Sequence, residues 1–126
     1  MFSIFRRRWF WPALCALCVA GFVVQVARFY HPVYGFTSLI QLDSAKEAGM
    51  LPELRERPIY VYRETGGYDG QYYAQLACRP TLRDPALLQA IDNLGYRARR
   101  CLTSWTAWLL ALGDPTRALD IYTLIN

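Results

Sequence analysis

Lysine is nearly missing from this chain: 13 of its 14 basic residues are arginine, and Lys46 is the exception. Histidine occurs once, at His31, with no cluster of ligand residues around it, so no metal site is expected. Charged residues are sparse at 19% of 126 residues against 54% hydrophobic, which excludes a disordered tail. The positive charge also lacks a continuous surface. Residues 31–100 are nearly balanced, with nine basic and eight acidic, and the other arginines sit at the edges of apolar stretches. A nucleic-acid partner is therefore not expected. The four cysteines do not form a redox or zinc signature either. Cys15 and Cys18 have C-x-x-C spacing but lie within an apolar run, where cysteine acts as a small hydrophobe. Cys78 and Cys101 would pair only in an oxidising compartment and only if the fold brings their Cα atoms within bonding range, which spacing leaves open.

What the chain does have is a long uncharged run near its start. Trp9 to Ala27 gives 19 residues without a charge, closed by Arg28. As a helix this reaches roughly 28 Å, close to the ~30 Å hydrocarbon thickness of a bilayer. Trp9, Trp11, Phe29 and Tyr30 stand at its ends, where aromatic rings favour the headgroup level, and Arg6-Arg7-Arg8 precede it. By the positive-inside bias the N-terminus is cytoplasmic and residue 31 onward is outside. A cleaved signal peptide shares this basic-then-apolar order, but its core usually runs to about 7–15 residues, and no A-x-A site follows the run here. The expectation is an uncleaved anchor: a basic cytoplasmic tail over 1–8, a transmembrane helix over 9–30, and the lipid bilayer as partner.

The next segment, 31–95, reads as an outer loop with short amphipathic helices. Thr37 or Ser38 is placed to cap a helix through Gly49, with Leu39, Ile40 and Leu42 on its apolar side. Ile59–Tyr62 has the β-branched and aromatic content of an extended stretch, and Gly66-Gly67 marks a turn. Then comes the most unusual local composition, Gly67-Tyr68-Asp69-Gly70-Gln71-Tyr72-Tyr73. Tyr68, Tyr72 and Tyr73 offer faces for a sugar ring, while Asp69 and Gln71 offer directional hydrogen bonds to hydroxyls. A second reading stays open, in which Asp69 merely caps a helix over Gly70–Cys78. Asp84-Pro85 opens another helix, with Leu87, Leu88 and Ile91 as its buried side.

Residues 96–112 form, on this reading, a short second membrane helix. Arg97 and Arg100 share a face at its outer end and would hold a phosphate through their guanidinium forks, or else snorkel to headgroups without a specific ligand. Gly113-Asp114-Pro115 breaks that helix, and 113–126 begins a third apolar one that stops after about two turns, so a longer parent is expected.

The series Gly67–Tyr73, Leu82-Arg83-Asp84-Pro85, Ala90-Ile91-Asp92-Asn93 and Tyr96-Arg97-Ala98-Arg99-Arg100 resembles, in order and spacing, the N-terminal part of a family of bacterial polytopic membrane proteins related to the GT-C glycosyltransferases. The resemblance covers roughly residues 30–126. It departs from the family at Cys78-Arg79-Pro80, Asn93-Leu94 and Cys101-Leu102-Thr103-Ser104. It implies a mainly α membrane protein with a partial GT-C-like fold in the bacterial inner membrane, its 31–95 loop on the periplasmic side. It also implies transfer of a sugar from a polyprenyl-phosphate donor to a cell-surface acceptor, with no separate cofactor. Asp69 takes the role of catalytic carboxylate. Tyr68, Gln71, Tyr72, Tyr73, Arg97 and Arg100 take substrate-binding roles, the two arginines at the lipid phosphate. A fragment with one loop cannot enclose such a donor, so this length alone is expected to be inactive. The alternative reading is a small signal-anchored protein whose outer part binds a partner or headgroups.

Overall fold

The computed structural model describes residues 2–126, with side chains from Trp9 onward, and the chain is mainly helical. It divides into two units, one ending at Tyr30 and the other spanning His31–Asn126. The first is a single helix, α1, over Phe2–Ala27. It runs through the positions of the basic tail; the side chains of Arg6, Arg7 and Arg8 lie outside the described residues. Among the described residues it is the one helix long and apolar enough to cross a membrane, over Trp9–Ala27, and none of that stretch is buried.

The second unit begins with a tight hook, in which His31 and Gly35 exchange backbone hydrogen bonds of 2.9 and 2.8 Å and the His31 ring stacks on Tyr34. The single helix expected from Thr37 to Gly49 does not form. Two 3₁₀ turns, Thr37–Ile40 and Ser44–Gly49, flank a two-residue strand β1, Leu42–Asp43. The break is at Gln41, whose φ of 57° is left-handed, and β1 pairs in parallel with β2, Val61–Tyr62, in the register Leu42 to Val61 and Asp43 to Tyr62. Thr37 is diverted from capping because its hydroxyl donates to Tyr34 O at 2.7 Å and accepts from the Tyr60 N–H at 2.9 Å. Asp43 caps the second turn instead, accepting from the Ala45 N–H at 2.7 Å.

Six helices complete the unit: α2 Pro52–Arg55, α3 Gly70–Cys78, α4 Pro85–Ala90, α5 Leu94–Ala98, α6 Leu102–Leu110 and α7 Pro115–Ile125. Three starts follow from local chemistry. Asp84, Asn93 and Asp114 accept from the N–H groups of Ala86, Tyr96 and Arg117 at 2.8, 3.0 and 2.9 Å, and proline follows both aspartates at the first helical position, where its missing N–H costs nothing. α3 is the central element, with Ala74, Leu76, Ala77 and Cys78 buried against Leu119 and Tyr122 of α7 and Ala107 of α6. Leu42, Leu51, Leu54 and Leu87 close the core, each worth about 1.5–3 kcal/mol relative to exposure. On α4 the expected buried side is only partly realised. Leu87 and Ile91, four residues apart, turn inward, whereas Leu88 is 56% exposed, since a six-residue helix presents one narrow face.

The stretch expected as one helix over 96–112 is divided. α5 ends at Ala98 and α6 starts at Leu102, nine residues long and so about 14 Å, well short of a bilayer. The Ser104 hydroxyl pins α6 to α3 by donating to Tyr73 O at 2.8 Å.

Candidate functional site

The Tyr-Asp-Gly-Gln stretch builds a joint before it builds a site. Gly67, at φ 66°, lies against the Gln71 side chain so closely that a Cβ there would overlap it, and a Cβ on Gly70 would come within 2.9 Å of the Ile40 carbonyl oxygen. Gln71 is 2% exposed and its amide oxygen accepts from the Asp43 N–H at 3.4 Å. The sequence places Gln71 among substrate ligands; in the structure it is spent on fixing α3 to β1 and does not reach solvent. Gln75, one turn later, does the same work by accepting from the Leu51 N–H at 2.8 Å and donating to Ala90 O at 3.0 Å.

Asp69 is not a side-chain cap. Its φ and ψ of −53° and −30° are already helical, whereas a capping aspartate needs an extended backbone. Its carbonyl accepts the Tyr72 and Tyr73 N–H groups at 3.1 and 3.4 Å, and its carboxylate, about half exposed, turns to Arg97. Arg97 is the centre of the site, with only 6% of its side chain exposed. Its Nε and Nη2 donate to Asp92 Oδ1 and Oδ2 at 3.0 and 2.9 Å, a bidentate fork, and its Nη1 lies 2.8 Å from Asp69 Oδ2 as an ion pair without hydrogen-bond alignment. The guanidinium carbon stands 4.6, 5.3 and 5.6 Å from the ring centres of Tyr72, Tyr96 and Tyr73. Asp92 first, then Asp69 and the Tyr73 hydroxyl, outweigh burial and hold Arg97 above the ordinary guanidinium range, and Arg97 in turn holds the Asp92 carboxyl below the usual carboxylate range.

Two buried polar atoms at this centre, Arg97 Nη1 and the Tyr73 hydroxyl oxygen, lack an aligned hydrogen bond among the described residues, although Nη1 is ion-paired with Asp69 at 2.8 Å and the Tyr73 hydroxyl acts on the same guanidinium. Buried polar groups are almost always well hydrogen-bonded, so two neighbours without an aligned bond mark a place where an oxygen atom from outside the protein can complete the geometry. Beside the pair stands the Asp69 carboxylate, and the residue before it, Tyr68, is 67% exposed. On the Asp92 side a cleft of about 210 Å³ is lined by Lys46, Tyr72, Gln89, Ile91 and Asp92. An amine, a carboxylate and an aromatic wall are the groups that grip a polar ring.

Arg100 does not join Arg97. It is exposed, its guanidinium carbon 5.6 Å from the Tyr96 ring, while Arg97 points inward to carboxylates. Three-residue spacing put both on one face only if one helix ran through them, but α5 ends at Ala98. A joint phosphate fork is therefore not what this arrangement offers. Cys78 and Cys101 are both free thiols; Cys78 is buried, its Sγ 3.5 Å from Pro115 O, and burial pushes its pKa up to about 12. Among the described residues no three metal-ligating side chains converge.

Sequence reading gave no site role to Asp92 or Tyr96, although both stand in the stretches that carry the resemblance; each is against Arg97. A signal was present for Asp92: in Asp92-Asn93 the asparagine serves as cap, leaving the aspartate for a partner five residues on. Asp69 is 28 residues from Arg97, and nothing in local spacing connects them. Compared with known protein families, curated proteins and solved structures, the chain matches none.

Proposed function

We propose that the Asp69–Arg97–Tyr73 centre binds a hydroxyl of a sugar acceptor, as part of a GT-C-like glycosyltransferase of the bacterial inner membrane. Its N-terminus is cytoplasmic and residues 31–95 are outside. The observation that carries this reading is the pair of buried atoms without an aligned hydrogen bond, Arg97 Nη1 and Tyr73 OH, beside a carboxylate that caps nothing. A carboxylate positioned by a buried guanidinium, itself clamped by Asp92, is preorganised without needing to move when ligand arrives. In the reaction Asp69 takes the proton of the acceptor hydroxyl as its oxygen attacks the anomeric carbon. The bond from that carbon to the polyprenyl phosphate breaks, its electron pair leaves on the phosphate oxygen, and the configuration inverts. Tyr68 and Tyr72 supply ring faces for the sugar, and Gln71 supports them only through the fold. Arg100, exposed beside Tyr96, is the arginine available to the lipid phosphate.

The test is transfer of labelled sugar from a polyprenyl-phosphate donor by membranes carrying the full-length protein, with and without Asp69→Asn. Transfer should fall at least about 100-fold, the usual scale for losing a positioned base, at unchanged protein abundance. Transfer that persists in the variant removes Asp69 from the chemistry. Absence of transfer by the unaltered protein removes the transferase reading and leaves an anchored binding unit.

A further inference from the structure

α6 is built inside out. Its inward face carries Ser104 and Ala107, continued by Ala111 just past its end, all buried and all small, whereas most of its large side chains point away: Leu102 is 78% exposed, Trp105 42%, Leu109 71% and Leu110 61%, with Trp108 alone half-buried. At 100° per residue these four cover an arc of about 140° in which Thr106 is the only polar residue. A helix folding in water does the opposite, burying leucine and exposing small and polar residues. Small residues at the helix–helix contact with large apolar ones outside is the packing pattern of helices in lipid. The α6–α7 turn points the same way. Leu112 is 88% exposed and sits at φ 55°, a left-handed conformation in which water-facing turns favour glycine or asparagine. Exposed apolar residues so concentrated mark an interaction surface.

The occupant follows from three further observations. Arg99 and Arg100 are exposed three and two residues before α6, giving two cations next in sequence to the apolar strip and of the charge that suits lipid phosphates. Only three residues separate the end of α1 at Ala27 from the start of the second unit at His31, a tether of at most about 14 Å. A bilayer spanned by α1 is thus within reach. Finally, α6 at about 14 Å is too short to cross. We propose that α6 lies in the surface layer of the bilayer that α1 spans, with Leu102, Trp105, Leu109, Leu110 and Leu112 in the acyl boundary and Arg99 and Arg100 on lipid phosphates. The second unit is then held to the membrane at two places, the anchor and this strip. The inference rests on α1 as a membrane span; it shares only Arg100 with the sugar-transfer reading, and Trp105 reports on it whichever phosphate Arg100 meets.

The test uses the full chain in vesicles of phosphatidylcholine and phosphatidylglycerol, with Trp9→Phe, Trp11→Phe and Trp108→Phe leaving Trp105 as the sole tryptophan. Lipids brominated along the acyl chain should remove roughly half or more of its emission, and Leu109→Asp with Leu110→Asp should abolish that quenching. Trp105 quenched by aqueous acrylamide and not by brominated lipid would place the face in water. Trp105 quenched by neither would place it against protein. Either result overturns the proposal. A companion variant retaining only Trp11 reports on α1; if that tryptophan also escapes brominated lipid, the failure lies with the anchor.

Discussion

Arg97 and its two carboxylates should differ sharply in what they contribute to stability. The Arg97–Asp92 fork has two aligned charge-assisted bonds on a buried guanidinium, each worth about 1.5–3 kcal/mol, but Asp92 is 42% exposed and water recovers part of that on its side. We expect Asp92→Asn to cost about 2 kcal/mol. Arg97→Met also forfeits the tyrosine contacts and should cost about 3 kcal/mol, at the low end for breaking a buried pair because both abandoned carboxylates can be hydrated. Asp69 is 49% exposed and its contact with Nη1 lacks hydrogen-bond alignment, so Asp69→Asn should cost under about 1 kcal/mol. For a domain of the size of the His31–Asn126 unit, about 4–8 °C of midpoint accompanies each kcal/mol. The three midpoints should therefore fall by roughly 8–16 °C, 12–24 °C and less than about 8 °C. The assay is thermal unfolding of the full chain in nanodiscs, followed by the tyrosine near-ultraviolet signal. Equal losses for Asp69→Asn and Asp92→Asn would refute the reasoning, because they would make Asp69 a second structural clamp and not a carboxylate held ready for a ligand.

Two further outcomes follow from the titrating groups. The carboxyls of Asp43, Asp84 and Asp92 are all held below their ordinary values, the first two mainly by backbone N–H donors at Ala45 and Ala86 and the third by Arg97. A depressed folded pKa gives stability that is fully present above the unfolded value near ~4 and lost as pH falls through the folded one. The unfolding midpoint should thus be level from neutral pH to about 5, decline below about 4, and decline less steeply in Asp92→Asn; an unaltered acid slope in that variant would disconnect Asp92 from Arg97. Cys78, buried with its thiol pushed up to about 12, should resist maleimide at pH 8 until the unit is unfolded, whereas labelling at the native rate of an exposed thiol would show that the α3–α7 contact opens.

Much of the secondary structure was readable because it is local. Asp84-Pro85 and Asp114-Pro115 carry their helix starts in two adjacent residues, and Gly70–Cys78 forms the helix expected of it. The misread regions are those decided at a distance. Nothing near Thr37 announces that its hydroxyl will be claimed by Tyr34 and Tyr60, or that Leu42 and Asp43 will pair with residues 19 positions away, so the expected Thr37–Gly49 helix was a sound local inference overridden by tertiary partners. The site shows the same division. Composition around Asp69 singled out a stretch that the fold brings against Arg97, but it could not tell that Gln71 faces inward, that Arg97 and Arg100 part company where α5 ends, or that Asp92 is the residue that clamps Arg97. α6 is instructive in another way: its apolar content suggested a membrane helix, while its length and inverted packing suit a membrane surface.

If the proposed function holds, stability and ligand binding make opposite demands on Tyr73, and this separates a ligand site from a structural knot. Its hydroxyl is buried without an aligned hydrogen bond among the described residues, while its ring packs against the core. If the hydroxyl served the fold alone, it would be a liability: removing an unsatisfied buried polar group spares a desolvation cost of about 1–3 kcal/mol, less whatever its proximity to Arg97 returns. Tyr73→Phe should therefore leave stability unchanged or raise it by about 1 kcal/mol. If the hydroxyl is kept to meet an acceptor oxygen alongside Arg97 Nη1, the same variant should lose affinity for acceptor about 10-fold while the donor is used as before, the equivalent of about 1.4 kcal/mol. Unfolding midpoints and transfer kinetics on one preparation decide the matter. A variant that is less stable and equally active would show that Tyr73 is a strut whose partner is Arg97 itself, and the oxygen site between them would have to be abandoned.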